Sequence, residues 1–368
     1  MSTQRIREID AGRGVAMFFV CLSHFCEYYL TSNGKLSMLH NIWKITMLAS
    51  PTFMIISGIT LGYLFSVNKN HFHEIKRKYL DRGLFLITIA HLLIMISWIP
   101  MIKEFHGNMM IVFITDTIGI CLILGSILIS KIRPLMRIIL GSLLFFFAWS
   151  VANSHILISK YFNIVIEILC STTKNSNFFD NFPIMQWFGF YLVGTAIGEQ
   201  VGNFHLSGQQ NLIRSYLMKT GIVFIGVAIS LVVAMKFVRH YGLIGSVDTI
   251  QALFNFSQKN PPALIYLLSY GGIGLILLSA LNFLIEYKYL LPIINLFEIV
   301  GKTSLVTFIL QYFMYFTLIV WLRPPYSPLW PLLYLGTVVI IFIVVLFWHK
   351  KRLNKYLTIL NLTVWKTL

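Results

Sequence analysis

Ten stretches of this chain are too long and too apolar for a fold dissolved in water. They lie near residues 11–30, 41–67, 83–100, 109–130, 134–152, 182–202, 216–238, 263–285, 292–320 and 328–349. A helix of about 20 apolar residues crosses the ~30 Å hydrocarbon core of a bilayer, so each stretch is read as a membrane span. Only 11% of the residues are charged and 57% are hydrophobic, with a mean hydropathy of +0.77. A soluble domain carries about a quarter charged residues, which excludes a soluble enzyme, a disordered regulator and a secreted disulfide scaffold. The expected fold is an all-α polytopic integral membrane protein, with about ten transmembrane helices in one bundle. That bundle occupies residues 1–350, and 351–368 form a basic cytoplasmic tail. Segment 155–171 carries His155, Lys160 and Glu167 and is expected to be amphipathic or re-entrant.

The net charge of +16 comes from 29 Lys+Arg against 13 Asp+Glu. With ten spans, the side bearing the N-terminal tail, Lys69, Lys76 to Lys78, Lys131 to Arg137 and the C-terminal tail holds twice as many cations as the other side. Basic residues accumulate on the cytoplasmic face, so both termini are placed in the cytoplasm and the protein in the cell inner (cytoplasmic) membrane. No nucleic-acid partner is needed to explain the charge. Cys21, Cys26, Cys121 and Cys170 lie mostly in apolar stretches without metal-ligand spacing, so no metal and no disulfide framework are expected. The first span is read as a retained helix rather than a cleaved leader, because Arg5, Arg7, Asp10 and Arg13 run into a segment holding His24 and Glu27. The absence of visible internal repeats weighs against a transporter built from inverted halves.

An ionisable side chain at bilayer depth is expensive unless a partner or water satisfies it, and so is a functional candidate. Span one holds the densest set. Arg13 and His24 are eleven residues apart, roughly 16 Å and about three turns, which leaves them within some 20° on one helix face. Glu27, three residues beyond His24, is placed to reach the imidazole and sustain its basicity as a general base. The competing reading makes His24 a hydrogen-bonding residue in a helix seam. In span two, Ser50-Pro51-Thr52-Phe53 followed by Ser57-Gly58 predicts a proline kink and a close approach by a neighbour. Asp116 needs a buried partner. Glu298 and Lys302, four apart, neutralise each other, and His91 reads as a packing residue.

In order along the chain, these elements resemble the transmembrane acyltransferase superfamily, comprising the acyltransferase-3 and heparan-α-glucosaminide N-acetyltransferase-like proteins. Arg5…Asp10-x-x-Arg13-Gly14 followed by His24 resembles the family's opening motif. Pro51-x-Phe53…Ser57-Gly58 resembles its second-helix element, and Pro183…Trp187-x-Gly189…Gly194…Gly198 a later helix. Lys259-Asn-Pro261-Pro262-Ala263…Tyr266-Leu resembles the glucosaminide-acetyltransferase branch, and Gly301-x-x-Ser304-Leu305 a late element. Three positions depart from the pattern. Ser23 stands where that branch often has Asp, Ala263 replaces Ser, and Gln311 replaces a second histidine.

The resemblance implies an enzyme that moves an acyl group from cytoplasmic acetyl-CoA (acyl-CoA) to a hydroxyl of a cell-surface or lipid-linked saccharide. N-acetylation of an amino sugar is the alternative within the enzyme class. A permease or flippase for a small metabolite or lipid-linked sugar is the alternative outside it. The implied catalytic set is His24 as general base, Glu27 orienting its ring, and Asp10 and Arg13 holding the first helix and the donor in register; an acyl-histidine intermediate is the other route. Donor binding falls to Arg5, Arg7, Arg77, Lys78 and Arg82, with Ser57 and Trp187, and acceptor binding to Asp116, Lys259 and Gln311. Lipid, acyl-CoA and a saccharide are the expected partners; a homo-oligomer is compatible with all of this.

Overall fold

The computed structural model describes residues 6–30, 40–101, 111–153, 160–171, 173–175, 178–180, 182–240, 253–322, 325 and 327–359. Among the described residues, eight helical segments are long and apolar enough to cross a membrane, so this is a multi-pass membrane protein. Two more of the expected stretches are helical but fall short of that measure. Ile114–Leu128 is 15 residues long, and Ile184–Leu206 carries Gln186, Glu199, Gln200 and Asn203 among its 23 residues.

In chain order the helices are α1 (Arg7–Phe25), α2 (His40–Thr46), α3 (Ala49–Val67), α4 (Phe72–Phe85), α5 (His91–Trp98), α6 (Ile114–Leu128), α7 (Pro134–Asn153) and α8 (Lys160–Cys170). They continue as α9 (Ile184–Leu206), α10 (Gln210–His240), α11 (Leu264–Leu284), α12 (Leu291–Lys302), α13 (Ser304–Tyr312) and α14 (Trp330–Lys350). Three very short strands, β1 (Ile111–Val112), β2 (Thr173–Asn175) and β3 (Phe178–Asp180), form a ribbon in the order β1-β3-β2. The segment expected to be amphipathic or re-entrant at 155–171 contains α8, whose 11 residues span about 16 Å at 1.5 Å per residue; residues 155–159 lie outside the described residues.

Proline chemistry sets several boundaries. The disturbance expected from Pro51 is seen as an interruption within the one span Lys44–Val67. The helix breaks at Met47–Leu48 and restarts at Ala49, which puts Pro51 in the first turn, where an amide N–H would lack an intrahelical acceptor anyway. The expected span at 292–320 is likewise broken. α12 ends at Lys302, Thr303 leaves the helical conformation (φ −111°, ψ 21°), and α13 starts at Ser304.

Between helices in a bilayer there is little hydrophobic driving force, so tight contact depends on small residues that let backbones approach. The helix crossings follow that rule. A Cβ on Gly62 or Gly198 would strike the backbone of the facing helix in the α3–α9 pair, and Gly141 and Gly189 abut each other between α7 and α9. Gly83 meets Gly119 between α4 and α6, and Gly221 meets Gly272 between α10 and α11. Gly14 lies against the carbonyl of Phe297, and Gly301 against that of Asp10, where α1 crosses α12. Polar ties reinforce the crossings. The fully buried Arg137 guanidinium of α7 donates to Thr195 Oγ1 at 2.9 Å and pairs with Glu199 on α9. Arg7 pairs with Glu298 at 3.0 Å, and Lys302 pairs with the same carboxylate, binding α1 to α12. The outer faces are apolar: Val223, Val233 and Phe237 of α10 and Val339, Ile343 and Phe347 of α14 are exposed, as lipid-facing residues should be.

Candidate active site

The crossing of α1 over α12 explains why Arg13-Gly14 and Gly301-x-x-Ser304 belong together. Because neither Gly14 nor Gly301 has a side chain, the helices touch backbone to backbone, and the Arg13 guanidinium reaches the helix break. Its Nη2 donates to Ser304 Oγ at 2.6 Å, and its charge lies 5.7 Å from the centroid of Phe53. Asp10, one turn earlier on α1, is buried.

Arg13 and Ser304 sit in the wall of a cavity of about 240 Å³. Four cations line it: Arg13, Arg82, Lys302 and Lys355. Hydroxyls come from Ser57, Thr60, Thr115, Thr303, Ser304 and Thr358, and apolar walls from Phe53, Leu86, Ile118, Leu305 and Phe308. No carboxylate lines it among the described residues. Thr115 is 1% exposed, and its hydroxyl has no hydrogen-bond partner among the described residues. Such a group loses free energy unless a ligand or water supplies the missing bond, so the cavity is built for polar contents.

Beyond Phe308 lies an aromatic layer. Phe308 contacts Tyr312 (5.1 Å between centroids), which stacks on Phe316 at 4.6 Å, while Phe113 meets Tyr312 at 5.9 Å. His24 nests in this layer, 5.2 Å from Tyr312 and 5.1 Å from Phe316. It is half-buried and does not itself line the cavity. Its Nδ1 is 2.6 Å from Gln311 Oε1. An amide oxygen only accepts, so Nδ1 carries the ring proton and Nε2 keeps a free lone pair. Gln311 is fully buried, and its Nε2 has no partner among the described residues.

Glu27 is exposed, and its charge acts on Lys259 rather than forming a hydrogen bond to the imidazole. Lys259 precedes α11 in the Lys-Asn-Pro-Pro segment, half-buried, with its ammonium 5.5 Å from the Phe182 ring. Burial pushes Lys259 below the ordinary lysine range, and the Glu27 carboxylate opposes that shift. Asp116 accepts from the backbone N–H of Phe113 at 2.8 Å and sits 2.9 Å from His91 Nδ1.

Three widened π turns surround this level: Cys26–Leu30 after α1, Leu86–Ala90 between α4 and α5, and Phe313–Ile319 after α13. They adjoin or contain Glu27, His91 and Phe316. Such turns occur mostly as single interruptions of α-helices, often at functional sites.

The remaining sequence candidates are placed elsewhere. Arg7 is taken up by Glu298. Arg77 is exposed and Lys78 half-buried, and neither lines the cavity. Trp187 is fully buried, 6.0 Å from Phe182 and 6.5 Å from Tyr266. Arg5 lies outside the described residues. Ser57 and Arg82 line the cavity with Arg13. Sequence reasoning did not pick out Thr115, Thr303, Lys355 or Thr358. Thr115 adjoins Asp116, which was a signal, whereas nothing marked the C-terminal pair.

Compared with family models, residues 5–226 match the one described as heparan-alpha-glucosaminide N-acetyltransferase, catalytic. The match takes in the Arg13, His24, Pro51 and Trp187 elements and stops before Lys259, Gly301 and Gln311. No curated protein and no solved structure matched the chain.

Proposed function

Because the chain belongs to the family of heparan-alpha-glucosaminide N-acetyltransferase catalytic domains, we propose that it transfers an acetyl group from acetyl-CoA to a saccharide acceptor across a membrane. The observation that carries this reading is the cation-lined cavity that ends at the aromatic layer holding His24. The nucleotide phosphates take the cationic wall, and the pantetheine arm runs past Ser57, Thr60 and Thr115 toward Phe308. Thr115 then donates the hydrogen bond that its hydroxyl otherwise lacks.

His24 Nε2 is the general base. It takes the proton from the acceptor as the acceptor attacks the thioester carbonyl, while Nδ1–H stays on Gln311 and fixes the ring. The unpartnered Gln311 amide N–H is available to the oxyanion that forms. Collapse of the tetrahedral adduct expels the CoA thiolate. Asp10 and Arg13 keep α1 registered against the helix break. Glu27 and Lys259, on the other side of His24, receive the acceptor. Asp116, tied to His91 and Phe113, contributes to acceptor binding.

The acceptor group is a saccharide hydroxyl. A second reading, an amino group, is favoured by the N-acetyltransferase description of the family. The cation bias of the loops supports cytoplasmic termini, the cell inner (cytoplasmic) membrane and entry of the donor from the cytoplasmic side.

The test is incubation of purified protein with radiolabelled acetyl-CoA, with hydroxyl-only and amino saccharides as separate acceptors. His24→Ala is expected to retain acetyl-CoA binding and lose transfer by about 10²-fold or more, the usual scale of a general base. Full activity in that variant removes His24 from the chemistry. A wild-type protein that does not bind acetyl-CoA overturns the reading as a whole.

A further inference from the structure

The sequence makes 351–368 a basic tail, and its first nine residues, 351–359, are described. α14 ends at Lys350 and the chain turns at Arg352, the one non-glycine residue with positive φ among the described residues (φ 55°). Trp348 Nε1 donates to Asn354 Oδ1 at 3.0 Å, which fixes the short turn Leu353–Tyr356. The Ile359 backbone N–H then donates to Oδ1 of Asp81 at 2.8 Å, and Asp81 is 4% exposed within α4. Between those anchors, Asn354, Lys355, Leu357 and Thr358 form part of the cavity wall together with Tyr79 and Arg82 of α4. The Thr358 hydroxyl is buried without a partner among the described residues, like that of Thr115 in the wall formed by α6.

We propose that Lys351–Ile359 is a strap across the acetyl-CoA cavity, with Lys355 facing the donor's phosphates alongside Arg82 and with Ile359 latched to Asp81. This rests on the reading of the cavity as the donor site. The chemistry is specific. An unpartnered hydroxyl, an ammonium and a guanidinium in one wall, with no carboxylate in it among the described residues, make an environment for phosphate oxygens rather than for a cation or a neutral sugar. The latch leaves the strap attached at both ends, to α14 through Trp348 and to α4 through Asp81.

The test compares acetyl-CoA with S-acetylpantetheine, which carries the same thioester and no phosphate, on the full-length protein. Lys355→Ala is expected to raise KM for acetyl-CoA about tenfold, the scale of one charge-assisted contact, with S-acetylpantetheine unaffected and Lys355→Arg restoring the acetyl-CoA value. CoA is also expected to slow tryptic cleavage after Lys351, Arg352 and Lys355. Equal effects of Lys355→Ala on both donors, or none on either, overturn the strap while leaving the donor site standing. A wild-type protein that uses neither donor overturns the donor-site reading and the strap together.

Discussion

The Arg13 guanidinium and the Ser304 hydroxyl, 291 positions apart in sequence, meet at 2.6 Å where α12 gives way to α13. The contact joins the two sequence elements at the ends of the family-like pattern and places a cation inside the cavity wall. Ser304→Ala removes a single charged hydrogen bond. Arg13→Lys keeps the charge but loses the planar donor fork. We expect Arg13→Lys to weaken acetyl-CoA binding by about 1.5–3 kcal/mol and Ser304→Ala to weaken it less, measured as KM with kcat followed separately. Unchanged KM in both variants would detach this pair from donor binding.

The glycine crossings make a stability prediction with an internal control. A methyl at Gly198 collides with the backbone of Ile59, so the α3–α9 pair must separate. Gly198→Ala is expected to cost about 1–3 kcal/mol through overpacking, seen as a lower Tm in detergent. Gly336 on α14 has nothing within 4 Å of an added Cβ. Gly336→Ala should therefore leave the Tm unchanged or raise it slightly, since alanine is the better helix former.

The pH dependence should report Lys259. Its ammonium is held below the ordinary lysine range by burial, so it loses its charge at a lower pH than a free lysine would. As pH rises, the cation beside Glu27 disappears, and transfer is expected to fall on the alkaline side earlier than an ordinary lysine would dictate. Lys259→Arg keeps the charge throughout that range and should move the alkaline limb upward. An identical limb in both proteins assigns the titration to another group.

Much of the frame was legible because hydropathy and helix length are local properties. Each of the ten apolar stretches contains a helix among the described residues, and Glu298 and Lys302 do neutralise each other, as their spacing of four implied. What escaped reading depended on contacts across the bundle. The break at Thr303 has no proline to announce it; it lies where α12 passes α1 at Gly301. His91 read as a packing residue and Asp116 as a carboxylate in search of a partner, and only the juxtaposition of α5 and α6 pairs them. His24 was expected to be oriented by Glu27, a neighbour three positions on. The structure gives its Nδ1 hydrogen bond to Gln311, 287 positions away. The strap was illegible for a different reason. Its lysines and arginine satisfy the topology rule equally well whether they dangle in water or fold back on the protein.

The π turns after α1 and α13 change how this sequence should be matched to its relatives. Each swelling accommodates an additional residue, so a helical wheel drawn at 100° per position slips out of phase on its far side by about one step. In a homologue whose helix runs on without the bulge, counting forward from the histidine or the glutamine by fixed offsets lands beside the true equivalents of Glu27 and Phe316. A single-residue gap, placed at the bulge rather than in a loop, restores the correspondence.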